Sequence, residues 1–173
     1  MELQEFKNIL IPISPRLLRF AGRMLSNQED ARDVLQDVYL KLWLMREKLD
    51  AYRSLEALSM TMIKNACIDQ LRKRKPFFQH NEAIENDSSE NGDVEELFTS
   101  NESYTNVLEM VNKLPEQQKA IIHLKDIEGY STEEVIEIMG ITANTLRVNL
   151  SRARMKLREL IVEKNTIRWN ANN

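Results

Sequence analysis

Six residues near the C-terminal end, Asn144, Arg147, Ser151, Arg152, Arg154 and Arg158, fall on the solvent side of one helical repeat. Guanidinium forks, an amide and a hydroxyl on a single helix are the groups that hydrogen-bond base edges and phosphates. From Arg147 to Arg168 there are seven bases and two acids, whereas Glu109 to Glu137 holds seven acids and three bases. Charge sorted this way between neighbouring segments is the footprint of a DNA reader. Other reactive groups form no site. Asp30, Asp33 and Asp37 share a helix face without the Glu-x-x-His that a carboxylate metal site would add. His80 and His123 are isolated, and Cys67 is the only cysteine, in the helical pattern MTMIKNACIDQL, where a buried small hydrophobe is expected rather than a nucleophile. No nucleophile with a base, phosphate-cradling Gly loop or metal-ligand cluster is present, so catalysis is not expected.

The basic helix sits in a recognisable frame. Gly129 ends one helix, Ser131 and Glu134 make a capping box, and Val135, Ile138 and Met139 line a short helix closed by Gly140. Thr142 can cap the next, in which Leu146, Leu150, Ala153, Leu157 and Leu160 repeat along the buried side. Short helix, Gly-bearing turn and longer helix spell a helix-turn-helix. Upstream, Tyr104, Val107, Leu108 and Val111 mark one helix, and Leu114-Pro115-Glu116 opens another.

The N-terminal part is helical too. Ser14 and Pro15 can be the cap and first position of a helix carrying Leu17, Leu18, Ala21, Met24 and Leu25; Phe6, Ile9, Leu10 and Ile13 allow instead a longer helix kinked at Pro12 or Pro15. Ala31, Val34, Leu35, Val38, Leu42, Met45 and Leu49 recur at threes and fours, predicting a helix of five turns. Tyr39, Leu40 and Trp43 lie between its two faces, more apolar surface than one core stripe needs, and point to a partner. Ser54 can cap a third helix with Leu55, Leu58, Met62, Ile63, Ala66 and Leu71, ending in Arg72, Lys73, Arg74 and Lys75 before Pro76.

Between the two parts, residues 76–103 carry eight acids and no Lys or Arg, with scattered apolar residues and clustered Asn, Asp, Ser and Gly. Such a segment cannot repay the entropy of ordering and is expected to be a flexible linker. The whole chain of 173 residues has a net charge of −3, but outside the linker 24 bases face 19 acids. The folded parts are therefore basic. Four Gly and four Pro, with abundant Leu, Ile, Met, Glu, Lys and Arg, give an all-α expectation: residues 1–75 and 104–173 as two small helical domains joined by the acidic linker. No run of about 18 apolar residues exists and the N-terminus lacks a secretory signal, so a cytoplasmic location is expected.

These features together resemble a bacterial RNA polymerase sigma factor of the extracytoplasmic-function (ECF) group in the sigma-70 family. PRLLRFAGRMLSNQEDARDVLQDVYLKLW is similar to the family's region two, LEALSMTMIKNACIDQLRKRK to the part that handles the melted promoter, and LPEQQKAIIHLKDIEGYSTEEVIEIMGITANTLRVNLSRARMKLREL to region four. The resemblance implies that Asp33, Gln36, Asp37, Tyr39 and Trp43 face the clamp coiled coil of the polymerase. It implies that Lys64, Asn65, Asp69 and Arg72 lie near the minus-ten element, captured as unstacked bases. Duplex at the minus-thirty-five element would meet Arg147, Val148, Ser151 and Arg152, with Asn144 and Arg154 beside them. Partners implied are core polymerase, through clamp and flap, promoter DNA and an anti-sigma factor. The family usually has Trp near Leu58, Ala at Ile136 and a Ser-Arg pair at Val148 and Asn149, so packing and base readout here differ locally.

The competing reading is a conventional helix-turn-helix regulator that dimerises to read paired half-sites. The linker's 28 residues stretch to about 95 Å and coil to about 30 Å, so the two parts can fold together or separate. The free protein is expected to be compact, with linker acids competing against phosphate for the basic faces.

Overall fold

The computed structural model describes residues 2–75 and 101–171, and every regular element among them is a helix. The order is α1 (Leu3–Leu25), α2 (Gln28–Leu44), a 3-10 segment (Arg46–Ala51), α3 (Leu55–Arg74), α4 (Asn101–Val111), α5 (Glu116–Ile122), a π-helical turn (His123–Ile127), α6 (Thr132–Met139) and α7 (Ala143–Ala171). Residues 76–100, which hold most of the expected linker and His80, lie outside the described residues.

Local chemistry accounts for most boundaries. The Asn27 side chain accepts from the amides of Glu29 and Asp30 and starts α2, and Ser54 accepts from Ala57 and starts α3. Ser131 and Glu134 form the reciprocal capping box of α6. Gly140 then ends α6 at φ 64°, a left-handed conformation that a side chain disfavours. Thr142 Oγ1 accepts from the Thr145 amide 3.1 Å away, opening α7.

The sequence left two starts open for the first helix, and the structure has the longer one: α1 runs through both Pro12 and Pro15, so Ser14 and Pro15 start nothing. The Ser14 hydroxyl donates to the Leu10 carbonyl, and the first turns are held by burial of Phe6 and Leu10. The second helix stops at Leu44, and the chain tightens into the 3-10 segment, which still buries Leu49. Its apolar spacing therefore continues after the α-helix has ended.

Helices α1, α2 and α3 pack on one another, and α3 also packs on α5 and α6. One apolar cluster runs through both halves of the chain, with Phe20, Met24, Met60 and Ile63 from the first and Ile121, Leu124, Val135 and Ile138 from the second. A smaller cluster of Val107, Val111, Ile122, Ala153 and Leu157 belongs to the C-terminal half alone. Apolar residues on more than one side of α3 are what a helix covered on two sides requires. Ile136, where the family carries a smaller Ala, packs against the shared cluster.

Candidate nucleic-acid and polymerase interface

On α2 the exposed stripe is Asp33, Gln36, Asp37, Leu40 and Leu44, at intervals of three and four. Leu40 and Leu44 are 58% and 71% exposed, the apolar centre of this face. Tyr39 and Trp43 lie at its flank, half-buried. The Tyr39 hydroxyl hydrogen-bonds Ser14, and the Trp43 ring meets Phe6 edge-on at 5.2 Å with the Arg46 guanidinium stacked 4.5 Å from its centroid. Sequence reasoning named the two aromatics and treated Leu40 only as surplus surface. Leu44 was missed, although its spacing from Asp37 and Leu40 could have found it.

On α3 the expected minus-ten group divides. Asn65, Asp69 and Arg72 are exposed on one face, but Lys64 is buried, at 6% exposure. Burial lowers its pKa, against an opposing pull from Asp69. Arg74 ion-pairs with Asp30 and donates to the Leu25 carbonyl, so the basic end of α3 closes against the turn after α1.

On α7, Asn144 and Arg147 are exposed, and Arg147 Nη2 donates to Asn144 Oδ1 at 2.9 Å, so the two polar heads are held side by side. Val148 and Ser151 are partly buried beside them, and Arg152 has one guanidinium nitrogen buried with no partner on the protein. Arg154 is engaged within the protein: both its Nε and Nη2 donate to Asp126, at 3.1 and 2.7 Å, bracing α7 on the π-helical turn.

The contact between halves is polar as well as apolar. The buried Lys119 ammonium donates to the Met24 carbonyl at 2.6 Å. Burial pulls its pKa down to about 8, so at neutral pH it remains charged. Cys67 is buried and its thiol is pushed up to about 12, mainly by desolvation, which disfavours the thiolate. Glu128, in the turn before α6, meets Arg16, Arg19 and Arg23 of α1.

His123, 1% exposed, lies edge-on to Phe20 of α1 at 6.3 Å, and neither ring nitrogen has a protein partner. Burial, with Lys119 and Arg23 nearby, lowers its pKa to about 3. An imidazole free in water titrates near 6.5. The folded pKa is depressed, so the stability from keeping His123 neutral is full above pH 6.5 and is lost as pH falls toward 3. By pH 5 the loss is about 2 kcal/mol. Denaturant midpoints at pH 7 and 5 should therefore fall more in the parent than in His123→Leu; equal falls would contradict this.

Two family models match the chain, Sigma-70 region 2 over residues 12–77 and Sigma-70, region 4 over residues 104–157. The chain belongs to the sigma-70 family. The region-two match ends two residues past the basic tail of α3, and the region-four match runs from within α4 to the middle of α7. Full-length relatives put this sigma factor in the ECF group. SigW of Bacillus subtilis is 23% identical over 89% of this chain and 87% of its own length. SigM of Mycobacterium tuberculosis is 29% identical over 87% of this chain and 72% of its own. Among solved structures, RpoE in complex with the anti-sigma factor NepR from Bartonella quintana superposes with a TM-score of 0.67, 26% identity, and coverage of 92% of this chain and 98% of that one. CnrH, solved with the cytosolic domain of CnrY, has the same fold at TM-score 0.67 and 21% identity. As an ECF sigma factor the chain binds core RNA polymerase and promoter DNA in transcription initiation. No helix among the described residues is long and apolar enough to cross a membrane.

Proposed function

We propose that residues 1–75 and 104–173 work as two promoter-reading units joined by the 76–103 linker, with α2 as the dock for polymerase. The observation that carries this is the α2 stripe, where exposed Leu40 and Leu44 are bordered by Asp33, Gln36 and Asp37 on a helix whose other side is already packed. An apolar centre within a polar rim is the anatomy of a protein interface. Tyr39 and Trp43 join it through their exposed edges. Asn65, Asp69 and Arg72 then read the melted minus-ten strand, with Lys64 buried beside them in the free chain. Asn144, Arg147, Val148, Ser151 and Arg152 read the minus-thirty-five duplex, and Arg154 supports them through its brace.

Such reading requires the two halves to part. Elements at minus ten and minus thirty-five lie about 25 base pairs apart, roughly 85 Å at 3.4 Å per pair. With α3 and α6 in contact, the reading helices cannot cover that distance, whereas the 25 residues between the tail of α3 and α4, stretched to about 83 to 90 Å, can. The docked form is thus the resting state, and binding to polymerase opens it. RpoE was solved with the anti-sigma factor NepR, and a partner of that kind would hold this chain at rest too. The chain works in the cytoplasm with the polymerase, which performs the chemistry.

Mixing the chain with core polymerase and measuring the eluted stoichiometry tests the reading. A one-to-one complex is expected; a free homodimer that ignores polymerase would mark a conventional regulator. Within the complex, Arg147→Ala should remove about 1 to 3 kcal/mol of preference for promoter over scrambled duplex, whereas Arg158→Ala should weaken both alike. Equal losses for the two variants on both duplexes would remove Arg147 from base readout.

A further inference from the structure

Three arginines of α1 meet one carboxylate. Arg23 Nη1 and Arg19 Nη2 both bond Glu128, the latter at 3.1 Å, and Arg16 Nε lies 3.5 Å from the same group, whose side chain is only 5% exposed. Arg16 has other support. It donates to Glu56 of α3 at 2.9 Å and stacks on the Tyr130 ring at 3.9 Å. Arg23 also donates to the Tyr104 hydroxyl at 3.0 Å, and Arg19 has Glu128 as its carboxylate partner. Glu128, Tyr130 and Tyr104 all belong to the C-terminal half. When that half leaves, Arg16 keeps Glu56, while Arg19 and Arg23 each lose the Glu128 carboxylate.

We propose that Arg19 and Arg23, flanked by Arg16, form a phosphate-binding row on region two that Glu128 occupies in the docked form and the promoter backbone occupies after opening. The inference rests on the sigma-factor reading and adds a DNA contact on α1, away from the minus-ten face of α3. Carboxylate and phosphate offer the guanidinium fork the same paired oxygens, so a row that grips one is shaped for the other. Its dimensions fit as well. Seven residues of helix cover about 10 Å, close to three nucleotides of strand at 3.4 Å each. Arg74 lies at the same end of α1 as Arg23, its guanidinium on the Leu25 carbonyl and paired with Asp30. A nucleic acid brings phosphates at a regular spacing to such a row, whereas an acidic protein surface would need carboxylates at matched positions.

The test uses polymerase holoenzyme on its promoter, with binding measured across a salt series. Parent, Glu128→Ala, and Glu128→Ala combined with Arg19→Ala and Arg23→Ala are compared. Glu128→Ala removes the competing carboxylate and should raise DNA affinity of the free chain at least several-fold. Adding the two arginine substitutions should cancel that gain and lower the salt slope of the holoenzyme by about 1.4 to 1.8, the share of two phosphate contacts. Arg19→Ala alone should take about half of that. Arg19 is largely exposed, so this single variant keeps the fold; Arg19→Lys should keep the slope. An unchanged slope in a holoenzyme that still forms and opens the promoter would confine the row to holding Glu128. Weaker association with core polymerase at an unchanged promoter slope would assign it to a protein surface, and that too overturns the proposal. Failure of the parent chain to form a holoenzyme would instead overturn the sigma-factor reading itself.

Discussion

Replacing Leu40 and Leu44 together by Asp should lower affinity for core polymerase by at least about 100-fold while leaving the helical spectrum unchanged. Both side chains are mostly exposed in the free chain, so their removal costs the fold little. Burying a leucine in an interface contributes about 1.5 to 3 kcal/mol, and 100-fold corresponds to about 2.7 kcal/mol, so two of them suffice even before carboxylates are forced into an apolar contact. Trp43→Ala should behave differently. It removes the edge-on contact with Phe6 and the Arg46 stack, so it should loosen the first turns of α1 as well as weaken docking. Titration of labelled core polymerase measures both; unaltered affinity in the folded Leu40→Asp, Leu44→Asp variant would take α2 out of the interface.

Lys119→Glu should separate the two halves. The buried ammonium donates to the Met24 carbonyl in the last turn of α1, where the carbonyls of a helix end carry partial negative charge. A carboxylate there faces those carbonyls where a donor stood, a change of the kind that costs about 3 to 5 kcal/mol in a buried site. The halves need not unfold to relieve it, because the C-terminal half keeps its own cluster around Val111, Ile122 and Leu157. Small-angle scattering should show a larger radius of gyration, and the free chain should bind DNA more tightly. An unchanged radius at retained helicity would show that Lys119 does not hold the docked form.

What the sequence could show was mostly local. Ser54, Ser131 with Glu134, Gly140 and Thr142 act within three residues of where they stand, so the start of α3 and the whole helix-turn-helix were legible. Pro12 and Pro15 were ambiguous because the stability of the first turns of α1 comes from Phe6 and Trp43, 37 residues apart in sequence. The end of α2 was hidden because a 3-10 segment can keep apolar spacing close to that of an α-helix. In the candidate site, types and spacing placed Asp33, Gln36, Asp37, Asn144 and Arg147 on exposed helix faces, where the structure has them. Spacing could not reveal that Arg154 is held by Asp126 or that Lys64 is covered. Nor could it reveal that Glu128 sits among three arginines more than 100 residues away, since each contact depends on how distant helices meet. The docking of the halves left one trace, apolar residues on more than one side of α3.

Transcription from genomic DNA by core polymerase with and without the purified chain, followed by sequencing of transcript 5′ ends, tests the central claim most directly. The account predicts new starts clustered downstream of one shared pair of elements at about minus thirty-five and minus ten, weakened by Arg147→Ala and abolished by Leu40→Asp with Leu44→Asp. Start sites identical to those of core polymerase alone would contradict it.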